Sequence, residues 1–386
     1  MEMTSKERIL KVLNHQEPDR IPVGEMGIDY PITEKVLGRP TYYRAKLREQ
    51  KALWEGKRDE VVNSQKRDIV DLVKTLNWDF VPVFLTYSSQ KEYFPPEFIA
   101  QNTWRDLKGN IWKYSTTTED TLCIHYRELG EEIIEELNAP WRPHESELEV
   151  IRYVVRELGQ THFIIGRGPT EGTFPNPDLL NIDLCEFLIK IIDDPDFIYR
   201  LLEAASRRAI QTCKVLADEG VDAIQLGVDY CFNGGPFISP LTFEEIILPF
   251  FQEHCKVIHE AGLYVIKHTD GNTWGILDML IDAGIDALHG IQPSAGMDLK
   301  ELKAKYGRKI TFFGAVDCDL LVRGTPNEVK EAVRYCIKHA ATGGGLVLSS
   351  SNSIQLGVKY DNYMTMLDTI RQEGYYPIKL SGSYNL

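Results

Sequence analysis

The chain has 386 residues, 43% of them hydrophobic and 26% charged, a globular profile with room for one large α/β domain or two smaller ones. A formal charge of −14 argues against nucleic acid as the main partner, since phosphate backbones are held by Lys and Arg. There is no apolar run of about 18 residues to span a membrane, and the charged start MEMTSKERILKVLNHQEPDR lacks the apolar core of a signal peptide. A cytoplasmic protein is expected. Its cysteines (Cys123, Cys185, Cys213, Cys231, Cys255, Cys318 and Cys336) form no CxxC pair and read as reduced thiols.

In chain order, Thr4 with Glu7 three residues on reads as a capping box before the helical pattern Ile9, Leu10, Val12, Leu13. Pro18 ends that helix, and the apolar stretch 21–27 follows as a short strand. A mostly helical segment runs to about residue 77, and 80–85 is the next strand. Residues 88–146 differ: turn signals and alternating stretches such as 111–114 and 122–126 read as an inserted β-meander within a single domain spanning 1–386. From 146 onward helices alternate with short apolar strands at 162–166, 223–227, 263–267, 287–291, 310–314 and 345–349.

Eight strands alternating with helices admit a doubly wound sheet or a closed (β/α)8 barrel. No GxGxxG follows the first strand, which removes the main Rossmann signal. Polar residues collect after the strands, where a barrel carries its site, so an α/β protein of the (β/α)8 TIM-barrel class, with an N-terminal helical extension, is expected.

Around the barrel mouth the sequence places Glu25, Asp29, Tyr87, Glu171, Asp229, Tyr230, Asn233, His268, Asp270, His289, Asp317 and Asn352. So many carboxylates and histidines suit a general acid, a metal site or a polar-substrate anchor. Blander readings stand beside these. Asp317 can cap the next helix, His289 can be a satisfied core histidine, and "HTDGN" at 268–272 can be a plain turn. Tyr30, Tyr87, Phe174, Tyr230, Phe232 and Trp274 lie near the mouth and can stack on an aromatic ligand or simply pack.

The segments KERILKVLNHQEPDRIPV, GVDYCFNGGPFISPLTFEEIILPFF, GLYVIKHTDGN, TFFGAVDCDLLVRGTPNEV and GGGLVLSSSNSI occur in this order. They resemble the uroporphyrinogen decarboxylase superfamily, in its branch of corrinoid-dependent methyltransferases. The resemblance runs from near residue 5 to near residue 376 and implies one barrel with its active site at the C-terminal mouth. True decarboxylases of the superfamily carry an arginine-rich segment of the type RQAGRY after the first strand. Here GEMGIDY, residues 24–30, has two acids and no arginine, and an acidic rim would repel a polycarboxylate. A tetrapyrrole decarboxylase is therefore the alternative reading, and a non-catalytic barrel binding a small polar ligand is a further one.

Thiol-methylating members bind zinc through a His-x-Cys pair and a distant Cys. The corresponding positions here are His268-Thr269-Asp270 and Asn352, so both cysteines are replaced. Oxygen in place of sulfur makes a harder, more Lewis-acidic site, suited to polarising an ether oxygen. The resemblance thus implies transfer of a methyl group from an O-methyl donor, first of all a methoxylated aromatic. The acceptor would be the Co(I) corrinoid of a separate partner protein, since no DxHxxG corrinoid signature exists in this chain.

In an extended strand residues i and i+2 share a face, so His268 and Asp270 can share zinc, with Asp229 or Glu25 as a third ligand. Without metal, His268 or Asp270 would serve as general acid. Glu25, Asp229, His268, Asp270 and Asn352 are expected to converge, with Asp29, Tyr30, Tyr87, Glu171, Tyr230, Asn233, Trp274 and His289 as substrate contacts. A homo-oligomer is compatible with the sequence.

Overall fold

The structure is a computed structural model and describes residues 3–379. Helix α1 (Ser5–Leu13) starts at the expected capping box, with Thr4 and Glu7 bonded reciprocally. After it come α2 (Tyr30–Leu37), α3 (Leu47–Trp54) and α4 (Arg58–Leu76), then strand β1 (Phe80–Phe84). Strands β2 (Glu97–Ala100), β3 (Thr103–Arg105), β4 (Ile111–Tyr114) and β5 (Thr121–His125) form a separate antiparallel sheet in sequence order. It packs on α3, where Trp54 meets Phe98 and Trp104 edge to face.

The remaining strands are β6 (Phe163–Arg167), β7 (Ala223–Leu226), the small hairpin β8 (Cys231–Phe232) and β9 (Gly235–Pro236), β10 (Tyr264–His268), β11 (Ala287–His289), β12 (Thr311–Val316) and β13 (Leu346–Ser350). The parallel sheet has seven strands in the order β1-β6-β7-β10-β11-β12-β13. Helices between them cover its outer face, as right-handed crossovers of parallel strands require. No helix among the described residues is long and apolar enough to cross a membrane.

The stretch 21–27, expected as the first strand, is not a regular one. Pro22 has no N–H to give to a ladder, and the segment makes a single bridge, Val23 to Leu348, with another just after it from Ile28 to Ile354. It still joins the two edges of the sheet. The Pro22 carbonyl accepts from the Leu348 N–H at 2.9 Å, and the Val23 carbonyl accepts from the Asp79 N–H at 2.7 Å. The ring of strand ends is completed there, in a TIM-barrel-like arrangement.

Strand alternation decides what the ring encloses. Phe80, Phe163, Ile165, Ala223, Ile266, Ala287, Phe313 and Val347 face inward as one buried cluster, with Met26. Ile9, Val12 and Leu13 of α1 join that cluster, so the helix plugs the N-terminal end of the barrel. A filled floor leaves the C-terminal mouth as the place for chemistry.

Candidate functional site

Following the inward positions upward from this floor gives the site. On β10 the residue after Ile266 on the same face is His268, and on β11 the residue after Ala287 is His289; the two are register partners. Their Nδ1 atoms lie 2.8 Å apart, so one ring donates and the other accepts. The Nε2 of His268 points the other way, 3.7 Å from Asp229 Oδ1 and 3.8 Å from Asp270 Oδ1. One ligand atom from each of these three residues falls within 4.8 Å of the others.

The two acids are held against their mutual repulsion by hydrogen bonds. The Asp270 N–H donates to Asp229 Oδ1 at 2.9 Å, and the Asn352 amide donates to Asp270 Oδ2. Gly271 then turns the chain at φ +82°, where a Cβ would lie 2.5 Å from the Phe232 carbonyl oxygen. "HTDGN" is therefore a turn as well as a source of side chains. Gly290 allows the histidines' strands to close up, since a Cβ there would come within 3.0 Å of His268 Nδ1.

Electrostatics assigns protonation states. Burial, with the Arg167 and Lys267 charges adding to it, pushes His268 down to about 3, and burial, with His268 and Arg167 adding to it, holds His289 well below its ordinary value. Both imidazoles are neutral near pH 7. Burial and the Asp229 charge push Asp270 up to about 7, against the Asn352 bond that lowers it. Burial also raises the half-exposed Asp229. Two acids of raised pKa beside a neutral imidazole can share a proton or hold a divalent cation.

Beneath this cluster the chain buries an ion pair. Lys267, alternate to His268 on β10, faces outward between sheet and helices. Its Nζ lies 2.8 and 3.1 Å from the two Glu171 oxygens and 2.7 Å from the Val228 carbonyl. Glu171 also accepts from the Val228 N–H, Thr173 and the Tyr230 hydroxyl. Glu171 and Tyr230, expected as substrate contacts, are instead 2% and 1% exposed, and their polar atoms are consumed by this network. That is a correction to the sequence reading.

Other expected contacts are likewise engaged. Asp29 is buried between Arg44 at 2.9 Å and Lys46 at 3.2 Å. Tyr30 bonds Glu119 under the Arg48 guanidinium, in a cavity of about 410 Å³ on the α3 side that includes none of the His268 cluster. Tyr87 packs edge to face on Tyr93. Trp274 donates to the Gly296 carbonyl and lies beside Tyr306, turned toward the neighbouring loop. Phe174 is core, packed on Phe187 and Tyr230, whereas Asn233 and Phe232 are exposed on the β8–β9 hairpin. Asp317 caps the helix Cys318–Arg323. Glu25 is fully buried and bonded to Ser350, with no contact to the three-residue cluster among the described interactions.

Sequence reasoning missed Lys267, Gln225 and Arg167. The signal was available for two of them: a Lys within the apolar run 263–267 and an Arg ending the run 162–167 both break their strands' pattern.

The sequence model of the family described as uroporphyrinogen decarboxylase (URO-D) matches residues 147–373. Among solved structures the fold is similar to a methyltransferase from Methanosarcina mazei, at 17% identity and a TM-score of 0.69, covering 96% of this chain and 99% of the other. A β-mannanase from the blue mussel Mytilus edulis aligns at 10% identity and a TM-score of 0.42, covering 92% and 96% of the two chains. No curated protein matches the sequence.

Proposed function

The chain belongs to the uroporphyrinogen decarboxylase family, and we propose that within it this protein is a methyltransferase moving a methyl group from an O-methyl donor to the Co(I) corrinoid of a separate partner protein. The observation that carries this reading is the cluster of Asp229, His268 and Asp270 at one point of the mouth. The fold likeness to a methyltransferase and the absence of arginine from residues 24–30 support it against porphyrinogen decarboxylation.

The donor set fits a zinc ion: two carboxylates and a neutral imidazole leave a fourth position for a substrate oxygen. The surroundings fit as well. A metal-binding histidine needs its second nitrogen occupied by an acceptor, and the Nδ1 of His289 stands 2.8 Å from that of His268. When bound, zinc would supply Lewis acidity to the ether oxygen.

The chain's own residues do the rest. Asn352 and the Asp270 N–H fix the two carboxylates toward one point. In the transfer the C–O bond breaks with its electron pair going to oxygen, and the pair on Co(I) forms the new bond to carbon. The departing oxygen then takes a proton. A histidine depressed to about 3 has none to give near neutrality, so Asp270, raised to about 7, is the acid in a metal-free mechanism. Mutation of Asp270→Asn, with zinc content and demethylation of methoxylated aromatics assayed together, separates the possibilities. Loss of both supports metal binding, and loss of activity with zinc unchanged supports acid catalysis. Full activity would return residues 268–272 to a turn and remove the proposal's footing.

A further inference from the structure

Arg167 is the inward-facing residue that follows Phe163 and Ile165 on β6. Its side chain reaches over the barrel floor, where Nη1 donates to the Met26 carbonyl. That is the one hydrogen bond it makes among the described residues, although a guanidinium has five N–H donors. No described carboxylate comes within ion-pair distance of it. The nearby Arg44 is already engaged by Asp29 at 2.9 Å. Asp178 acts on Arg167 through its charge without a contact, so Arg167 stands in the mouth as a cation with no direct ion pair among the described residues, which is costly unless something pairs with it.

A second observation points the same way. Gln225, inward on β7 and one step beyond the paired Gly166 and Ile224 as Arg167 is, is 2% exposed, and its Nε2 has no partner among the described residues. Buried amide donors are ordinarily satisfied. Two donors on adjacent strands, one charged and both unfilled, describe a receptor for an oxyanion. On the other side of Arg167 its register partner is Phe84, whose half-buried ring is stacked on Tyr43 at 6.3 Å. An aromatic wall thus adjoins the cation.

We propose that Arg167 and Gln225 bind the carboxylate of the substrate, so that the methyl donor is a methoxylated aromatic carboxylate lying with its ring along Phe84. A carboxylate suits the site better than a phosphate. One planar guanidinium matches two carboxylate oxygens, whereas a dianion would meet Asp229 and Asp270 with a single cation to balance it. The geometry of the barrel orients the molecule. Strands β6 and β10 are separated by β7 alone, so Arg167 and His268 start about 10 Å apart at the backbone and both project inward. One aromatic ring bridges such side chains, its carboxylate on Arg167 and its methoxy oxygen toward the Asp229–His268–Asp270 cluster. The Arg167 charge is felt at both His268 and His289, in keeping with their closeness across the mouth. The assignment of the ligand as methyl donor rests on the proposed methyl transfer; the carboxylate site itself does not.

The test is calorimetric titration of 3- and 4-methoxybenzoate and of the matching methoxybenzamides into the full chain, as wild type, Arg167→Gln, Arg167→Lys and Gln225→Leu. Wild type is expected to prefer at least one benzoate over its amide by tenfold or more. Arg167→Gln should lose about 10–100-fold in benzoate affinity, the worth of a charged hydrogen-bonded pair, with amide affinity unchanged. Arg167→Lys, which keeps the charge without the planar fork, should fall between. Gln225→Leu should weaken the benzoate by less than Arg167→Gln does. Circular dichroism checks the fold of each variant, and the benzoate-to-amide preference of the wild type tests the proposal even if a variant fails to fold. Equal affinity of wild type for benzoate and amide, no binding of either benzoate, or an unchanged preference in folded Arg167→Gln would overturn it. Benzoates that bind through Arg167 but give up no methyl group to Co(I) corrinoid would refute the transfer reading and leave the carboxylate site standing. Demethylation of amides as fast as benzoates would do the reverse.

Discussion

The buried pair Lys267–Glu171 makes an asymmetric prediction. Both side chains are inaccessible, at 0% and 1% exposure, so neither charge can turn to water when its partner is removed. Glu171→Gln replaces a two-sided acceptor by one carbonyl and one NH2. That NH2 must face either the Lys267 ammonium and Val228 N–H on one side or the hydroxyls of Thr173 and Tyr230 on the other. The ammonium then keeps the Val228 carbonyl at 2.7 Å and the Tyr230 ring 4.0 Å away. An uncompensated buried charge costs about 3–5 kcal/mol. Lys267→Met has a gentler consequence, because the carboxylate retains the Val228 N–H, Thr173 and Tyr230 as donors, and methionine refills most of the lysine stem. Its cost should be about 2 kcal/mol, near that of a broken charged hydrogen bond. Urea unfolding of both variants and of the double mutant, with m constant, measures the difference. A Lys267→Met variant as unstable as Glu171→Gln would refute the claim that three donors sustain the carboxylate alone.

Two other consequences are open to measurement. Burial raises Glu25 to about 8 from an ordinary 4.5, so its contribution to stability is full below about 4.5 and drains away as pH climbs toward about 8, at up to about 1.4 kcal/mol per pH unit. Glu25→Gln should flatten that slope and be the more stable form at the alkaline end; parallel profiles for the two proteins would dismiss the raised value. His289→Phe removes the ring nitrogen that meets His268 Nδ1 at 2.8 Å, and on the proposed zinc reading it should weaken zinc binding about 10–100-fold without unfolding the chain, as read by chelator competition. Undiminished zinc affinity would mean that His268 needs no such support.

Much of this architecture is legible in the sequence because strand and helix periods are local properties. The runs ending at Arg167, Leu226, His268, His289, Val316 and Ser350 announce their strands by apolar content alone. The ligand atoms of His268 and Asp270 come together as their spacing suggests, with Asp229 and Asn352 reaching them from other strand ends. What the sequence conceals is parity. Whether Lys267 or His268 faces the barrel depends on which residues of the neighbouring strands line its floor, and that is a non-local fact of register. The same ignorance sent Glu171 and Tyr230 to the mouth on paper, although each satisfies the other in the wall. The aromatics misled for a different reason: a ring buries area equally well against a ligand or against Tyr306 and Phe187, and composition does not distinguish the two. The stretch 21–27 reads as a strand because its apolar content is right, but Pro22 removes a donor and leaves only a single bridge.

The acidic rim read from residues 24–30 also takes a different meaning once side chains are located. Asp29 is neutralised by Arg44 and Lys46, and Glu25 is buried with its pKa raised to about 8, so this segment adds little negative field to the mouth near neutral pH. The charge that a ligand meets is divided. Asp229 and Asp270 stand on the β7–β10 side, and Arg167 stands on β6 with its other donors unfilled. Such a division selects for a molecule polarised in the opposite sense, anionic at one end and uncharged at the other. A substrate bearing carboxylates all round would gain at Arg167 and lose at the two aspartates, whereas a methoxylated aromatic acid presents one carboxylate and one neutral ether. Under the proposed methyl transfer, the Asp229–His268–Asp270 cluster facing the ether oxygen and the cation at the far end would work as one device: reversing the molecule would place its carboxylate against two acids, so the field of the site would discriminate between the two orientations before any chemistry begins.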